Sequence, residues 1–392
     1  MSEIRVDSIG NESNTGGPVL SGITTFSGQK YFIPPTGTTA ERPSDCPPGS
    51  VRFNTDSAHL EYWNGSVWLE FEASSEELGD QNNSNSTGGT GNRGLFIGGF
   101  SPSPLNAVHN VIQYVTISTL GNAQDFGDLA TTAAAPGSVA SRTRGIRAGG
   151  ANSSDVTIEF VTISSTGNAA DFGDLVQGTR DQGTAGNETR GIFAGGEGPN
   201  DVIQFITIAE SSNAVDFGNL SSTRDDLTRS QVNSSVRGVF AGGYASSPTT
   251  TAFNIIEYVT ISTTGDALDF GDLTVARNRT GGACNSTRGV FNSGATQPSG
   301  ASNVIDFITI ASTGNALDFG DSTLVNYRSM GGCSSQTRGV FGGGLTIPGP
   351  SLVYENVIEF ITIATTGNAA DFGDLIFPNT FGSALSNGHG GL

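Results

Sequence analysis

The chain has 392 residues, of which 56 are Gly and only 14 percent are charged, yet its net charge is −19. Such a composition belongs to a turn-rich protein with small side chains and excludes a nucleic-acid binder working through phosphate contacts. Lys30 is the only lysine, so lysine-based chemistry is excluded from everything that follows it.

Residues 1–40 read as extended and rich in Gly, Pro and Thr, with a break at Pro34-Pro35. The first residues carry no apolar run of the signal-peptide kind, and no stretch is apolar enough to cross a bilayer. Residues 50–72 have a tighter pattern: Val51-Arg52-Phe53, a turn at 54–56, Leu60-Glu61-Tyr62-Trp63, Asn64-Gly65, then Val67-Trp68-Leu69-Glu70-Phe71. Asn-Gly between two aromatic runs predicts a β-hairpin. So short a segment cannot bury a core alone, so it is expected to pack on a partner or on copies of itself. An Asn/Ser/Gly-rich stretch at 80–92 reads as a linker. The expected division is an attachment and oligomerisation module at 1–79, the linker at 80–92, and a repeat array at 93–392.

The array opens six times with the same words. Arg93-Gly94, Arg144-Gly145, Arg190-Gly191, Arg237-Gly238, Arg288-Gly289 and Arg338-Gly339 are spaced by 51, 46, 47, 51 and 50 residues. A period near 50 predicts one supersecondary unit stacked on its own copies. Each unit shows an Arg-Gly apolar run that ends in most copies in Gly-Gly. An eight-residue apolar run follows, at 111–118, 157–164, 202–209, 255–262, 304–311 and 357–364, with Glu, Gln or Asp third in line. Apolar residues on both faces predict a strand sandwiched between sheets. After a Gly-Asn turn comes Asp-Phe-Gly-Asp or its near copy, whose phenylalanine (126, 172, 217, 270, 319 or 372) is expected to pack one unit on the next. A run of small residues precedes the next Arg-Gly and is placed innermost, where strands crowd an axis.

This order resembles the kelch repeat. The resemblance covers 93–392 and implies an all-β fold with a six-bladed β-propeller. It departs in having Phe where kelch has an outer Trp, and Asn292-Ser293-Gly294 where repeat five should read Gly-Gly. The first unit lacks an innermost strand and the last has an extra one at 381–386, so residues of about 380–388 are expected to complete the first sheet and remove two open edges.

Strand alternation puts the second-to-third and outer-to-inner connections on one face. There the copies diverge: 100–110, 244–254 and 345–356 are long, 151–155 and 197–201 short. A constant face opposite a variable one points to binding through the variable face, with drift in unconstrained loops as the alternative. The candidate ligand-binding residues are the loop aromatics Phe100, Tyr244, Phe253 and Tyr354, suited to stacking on sugars. Arg180, Arg224, Arg277 and Arg328, which follow the outer strand, could grip acidic sugars, although a kelch-like repeat accounts for an Arg there. Arg147, which replaces a strand aromatic in repeat two, is the ninth candidate.

The six Asp-Phe-Gly motifs do not make a kinase, because no phosphate-cradling glycine loop with a strand lysine accompanies them. Paired aspartates could hold calcium, but carboxylates beside a turn usually bond to backbone amides or water, and neither metal nor cofactor is expected. His59, His109 and His389 lie in unrelated segments without a nucleophile constellation. Cys46, Cys284 and Cys333 lack metal-ligand spacing, and the latter two read as small core fillers.

Ser2-Glu3-Ile4-Arg5-Val6-Asp7, Thr39-Ala40-Glu41-Arg42-Pro43, 49–55 and Leu60-Glu61-Tyr62-Trp63-Asn64-Gly65 together resemble the N-terminal region of tail-fibre and other virion structural proteins of tailed phages, especially those of cyanobacteria. That resemblance implies a non-enzymatic virion protein, attached through 1–79 to other virion proteins, oligomeric, and displaying its distal part to a host-surface glycan or protein. A purely structural decoration, neck or baseplate component and a glycan-degrading enzyme are the alternatives.

Overall fold

The computed structural model describes residues 34–57, 59–70, 92–102, 106–150, 152–198, 200–245, 251–296, 300–329, 331–347 and 351–392. The motif at 2–7, Phe71 and all of the expected linker except Asn92 lie outside them. The described residues are all-β, in several small sheets, with one 3-10 turn at Thr39–Glu41 and no α-helix among them. The chain divides into two units, Met1–Ser74 and Ser75–Leu392.

In the first unit Thr36–Gly37, Val51–Asn54, His59–Trp63 and Trp68–Glu70 form one sheet in that order. The hairpin expected at Asn64-Gly65 is present: Asn64 Oδ1 accepts from the amides of Ser66 and Val67, both at 2.8 Å. One sheet face holds a buried polar cluster. Glu61 is fully buried and accepts from Arg42 Nη2 (2.6 Å) and Asn54 Nδ2 (3.2 Å), with Arg52 Nε at 3.3 Å. The opposite face carries Val51, Leu60 and Leu69, all exposed.

In the second unit each repeat contributes antiparallel strands. Repeat two is Gly137–Ala140, Arg144–Ala148, Thr157–Thr162 and Ala170–Asp174; repeat three is Gly183–Gly186, Arg190–Ala194, Val202–Thr207 and Val215–Asn219. Repeat four has Arg237–Ala241, Ile255–Thr260 and Leu268–Asp272, and the Val239 amide donating to the Val232 carbonyl at 2.9 Å marks its small-residue edge. Repeats five and six share one larger sheet, because Leu317–Arg328 runs on to pair Asn326 with Thr346 and Arg328 with Leu345 in Arg338–Thr346. Repeat one has Arg93–Ile97, Val111–Thr116 and Gln124–Asp128, and its fourth strand is Ser383–Ser386 from the end of the chain. The expected completion of the first sheet is therefore present.

Every repeat carries a β-bulge at one place. In repeat two, Ile158 pairs with Gly173 and Glu159 with Asp171, so Phe172 has no partner and its ring leaves the ladder. Gly173 adopts φ +148°, and a Cβ there would stand 2.6 Å from the Ser212 carbonyl oxygen of the next repeat. The Asp-Phe-Gly signature is thus a bulge that aims an aromatic sideways and a glycine that lets the next turn approach.

The bulged phenylalanines seat where the sequence places them, between successive repeats. Phe126 packs with Val161 and Ile163, Phe172 with Ile206 and Ile208, and Phe217 with Val259 and Ile261. Phe270 packs with Ile308 and Ile310, Phe319 with Ile361 and Ile363, and Phe372 with Val115 and Ile117 of repeat one. Burying such a ring contributes about 1.5–3 kcal/mol, and Phe96, Phe193, Phe240, Phe291 and Phe341 add further buried rings to five of the same clusters.

The opening arginines supply a second set of links. Each donates from Nη1 to a carbonyl of the following repeat: Arg93 to Ile163, Arg144 to Ile208, Arg190 to Ile261, Arg237 to Ile310, and Arg288 to Ile363. Each also lies over an aromatic of its own repeat, as Arg93 does over Tyr114 at 4.7 Å.

The last residues run on beneath the small-residue strands. His389 is buried; Ala140 O lies 2.9 Å from its Nε2, and Asn233 Nδ2 and the Gly391 amide lie 3.1 and 3.2 Å from its Nδ1. Nε2 therefore carries the proton and Nδ1 accepts. Cys284 and Cys333 are free and buried, as core fillers should be.

Candidate functional site

The diverging connections form hairpins in four repeats. Phe100–Ser101 pairs with Ala107–Val108, and Tyr244–Ala245 with Thr251–Ala252, while in repeats five and six the sheet strands themselves lengthen to make them. Where these connections converge lies a cavity of about 340 Å³. All six links between repeats reach it, through Ala134 and Ala135, Arg180 and Asp181, Asp225 and Asp226, Arg279, Arg328, and Phe381; Phe100, Val108, Glu197 and Tyr244 complete the wall.

A shared backbone conformation builds the rim. Ala135, Asp181, Asp226, Arg279 and Phe381 each stand two residues before a small-residue strand or its equivalent, and all have φ between +53° and +61°. The sixth equivalent, Met330, lies outside the described residues. Non-glycine residues rarely occupy this region, and such strain persists only where the surroundings impose it. Here backbone bonds between links impose it: Asp181 N donates to Ala135 O at 2.9 Å and Arg279 N to Asp226 O at 2.8 Å.

The nine candidate residues fall into three groups. Phe100, Arg180, Tyr244 and Arg328 line the cavity. Tyr354 packs on Phe100 with ring centroids 5.9 Å apart, and Phe253 lies 5.9 Å from the Arg224 guanidinium; neither is among the residues lining the cavity. Arg147, Arg224 and Arg277 are at most 1 % exposed and are not among the residues lining the cavity. Their partners are carboxylates: Glu159 on the long apolar strand and Asp155 just before it for Arg147, Glu257 for Arg224, and Asp306 for Arg277. Burial pushes the Arg224 guanidinium down to about 10.

The arginines after the outer strand are also not equivalent to one another. Counted back four residues from Gly183, Thr228, Gly281 and Gly332, Arg224, Arg277 and Arg328 share one position, Thr179 is their counterpart in the link to repeat three, and Arg180 stands one place later. Arg180 consequently turns outward and makes a two-pronged pair with Glu197, both bonds at 2.7 Å.

The third-in-line acid or amide has one constant task. Its side-chain oxygen accepts a backbone N–H just past the outer strand of the preceding repeat, as with Glu257 and Ser221 (3.0 Å), Gln204 and Val176 (2.7 Å), and Gln113 and Ile376 (2.8 Å). An amide does this as well as an acid. The acid occurs in repeats two, four and five, where a buried arginine reaches it, and in repeat six.

In repeat six the acid keeps this task but has no arginine partner among the described residues. Arg328 holds the position of Arg224 and Arg277, but Glu359 takes its bonds from Asn292 Nδ2 (3.0 Å), Thr323 N (2.8 Å), Thr323 Oγ1 (2.7 Å) and Ser322 Oγ. Asn292 is the residue that departs from the repeat pattern in repeat five. Arg328 instead stacks over Phe381 at 4.1 Å and near Tyr327 at 5.5 Å. Burial, then repulsion by Arg279 and Arg229, pushes it down to about 10.

Below the rim Arg229, 1 % exposed, ion-pairs with Asp181 and with Asp226 (3.1 Å) and lies over Phe381 at 5.4 Å. Arg279 Nη2 stands 2.6 Å from Asp226 Oδ2. Burial, opposed by Arg229, raises the Asp181 carboxyl to about 7, and burial with repulsion from Asp226 raises Asp225 to about 7. The composition signals none of Arg229, Arg279, Asp181, Asp225 and Phe381 as a group; the common offset before the small-residue strand would have found three of them.

The first aspartates of the Asp-Phe-Gly-Asp turns are exposed, and the amide of the fourth residue donates to an Asn or Asp of the next repeat's turn, as Asp128 N does to Asn168 Oδ1 at 3.1 Å. Among the described residues no group of three or more His, Cys, Asp and Glu is placed to hold a metal ion. Comparison of the chain with protein-family models and with curated proteins returned no match.

Proposed function

We propose that the protein is a non-enzymatic binding protein of a virion. In this reading residues 93–392 form a six-bladed kelch-like propeller, and the N-terminal unit attaches it to the particle. The propeller is supported by the sixfold recurrence of one interface and by its last instance, in which Phe372 and Arg338 of repeat six meet Val115 and Ile117 of repeat one. Attachment is supported by the resemblance at 2–7, 39–43, 49–55 and 60–65 to tail-fibre proteins and by the exposed apolar face of Val51, Leu60 and Leu69, which suits packing on other virion proteins or on its own copies.

The observation that carries the function is the cavity, which every link between repeats helps to line and which opens among the connections that vary most. Its mixture of Phe100, Tyr244 and opposed charges suits a surface glycan of the host, and copies of the chain on one appendage would add avidity. The test is a surface-glycan array and intact bacteria probed with fluorescent full-length protein. Binding that Tyr244→Ala weakens tenfold or more supports the reading. Binding unaffected by Tyr244→Ala, or release of reducing sugar from a bound glycan, overturns it.

A further inference from the structure

Resting on the cavity as the binding site, we propose that its ligand is a sugar acid, bound through one carboxylate at Arg328. Three guanidiniums meet at the floor, those of Arg229, Arg279 and Arg328, and the carboxylates paired with them there are Asp181 and Asp226. Among the described residues no carboxylate lies within ion-pair distance of Arg328. The Nε atoms of all three arginines and Nη1 of Arg229 are buried with no hydrogen-bond partner among the described residues. The Nε atoms of Arg147, Arg224 and Arg277 are left in the same way, so what sets Arg328 apart is its missing carboxylate and its place in the cavity lining.

The release of Arg328 is specific to its repeat. At the same position Arg224 and Arg277 are spent on Glu257 and Asp306. The corresponding Glu359 is satisfied by Asn292 and Ser322, and the strand extended to Arg328 carries that residue to the cavity wall. Two local departures from the repeat thus have one result, a guanidinium without a counter-ion facing a cavity.

Charge and size narrow the ligand class. Arg328, with no carboxylate at ion-pair distance, calls for one negative charge, while Asp181, Glu197, Asp225 and Asp226 already equal in number the four arginines of the site and disfavour a doubly charged phosphate. Asp225 Oδ1 is buried without a partner among the described residues and suits a hydroxyl. Phe100 and Tyr244 offer apolar faces, and about 340 Å³ is near the lower end of small-molecule sites, about 300–1,000 Å³. A singly charged, polyhydroxylated ring meets all of these conditions.

The experiment is calorimetric titration of full-length protein with sodium glucuronate, sodium galacturonate, glucose and glucose 6-phosphate. At least one uronate should bind ten times or more tighter than glucose and glucose 6-phosphate. Arg328→Gln should weaken that binding at least tenfold with an unchanged melting temperature, and Arg328→Lys should weaken it less. If Arg328→Gln does not fold, the uronate-to-glucose ratio of the native protein decides. Glucose or glucose 6-phosphate binding as tightly as both uronates, no uronate binding at all, or a folded Arg328→Gln protein that binds uronate normally would overturn the inference. None of those results touches array or cell binding that depends on Tyr244, which tests the broader reading.

Discussion

Arg338 donates from Nη1 to the carbonyl oxygen of Ile117 at 2.8 Å, across 221 residues of sequence. The same bond links every earlier repeat to its successor, so the last repeat treats the first as its next neighbour. Beside it, Ser386 pairs with Gly94 and Leu385 with Leu95. Removing 381–392 should therefore expose the Arg93–Ile97 edge and the partners of His389 together. The expected outcome is loss of the cooperative melting transition and oligomers in size-exclusion chromatography; a monomer melting as the full chain does would contradict it.

Buried pairs give a sharper expectation. Arg224→Leu leaves Glu257 uncompensated and should cost about 3–5 kcal/mol in urea unfolding. Adding Glu257→Gln should recover most of that loss, because Gln113 and Gln204 already perform the backbone-accepting task without charge. A double variant no more stable than the single one would refute this account of the acid.

Gly173→Ala tests the bulge. The new methyl would meet the Ser212 carbonyl at 2.6 Å in a left-handed backbone, and a loss of about 1–3 kcal/mol is expected. Phe172→Ala should cost about 3–5 kcal/mol through the cavity left between repeats two and three. Both are read by chemical denaturation.

The pH dependence of stability should separate on His389. Burial lowers its imidazole to about 4, below the ordinary value of about 6.5. Its neutral form costs nothing above about pH 6.5, and stability is lost as pH falls from there towards 4, because only the unfolded chain takes up the proton. The shift corresponds to about 3 kcal/mol. Asp181 and Asp225, both raised to about 7, act in the opposite sense and gain stability as pH falls below that value. They are common to the native protein and a His389→Gln variant. The stability advantage of the native protein should therefore shrink between pH 6.5 and 4, and a constant difference would argue against the buried neutral imidazole.

Much of the scaffold was legible because it repeats. Residues recurring six times at one period, such as the Arg-Gly openings and the phenylalanines of the outer strands, must serve one interface, and the structure places them there. The pairing of Ser383–Ser386 with Arg93–Ile97 followed from a missing strand at one end and a surplus one at the other. The site was harder to read because it arises from departures. Arg180, Arg224, Arg277 and Arg328 look alike along the chain, yet one residue of offset turns Arg180 outward, and a distant Asn292 decides that Arg328 alone of the other three is unpaired. Arg147 looked like a lone charge because its carboxylates, Asp155 and Glu159, lie on the far side of a turn. No period carries that information; it lies in contacts between repeats.

The choice of amide in repeats one and three and acid in the other four would distinguish otherwise similar units during folding. A strand of repeat three inserted in place of the repeat-four strand would offer Gln204 where Arg224 needs Glu257, stranding a charge in a dry interior at a cost of several kcal/mol. Near-identical modules invite mispairing. On this account the buried ion pairs would serve as addresses, telling each segment which berth is its own.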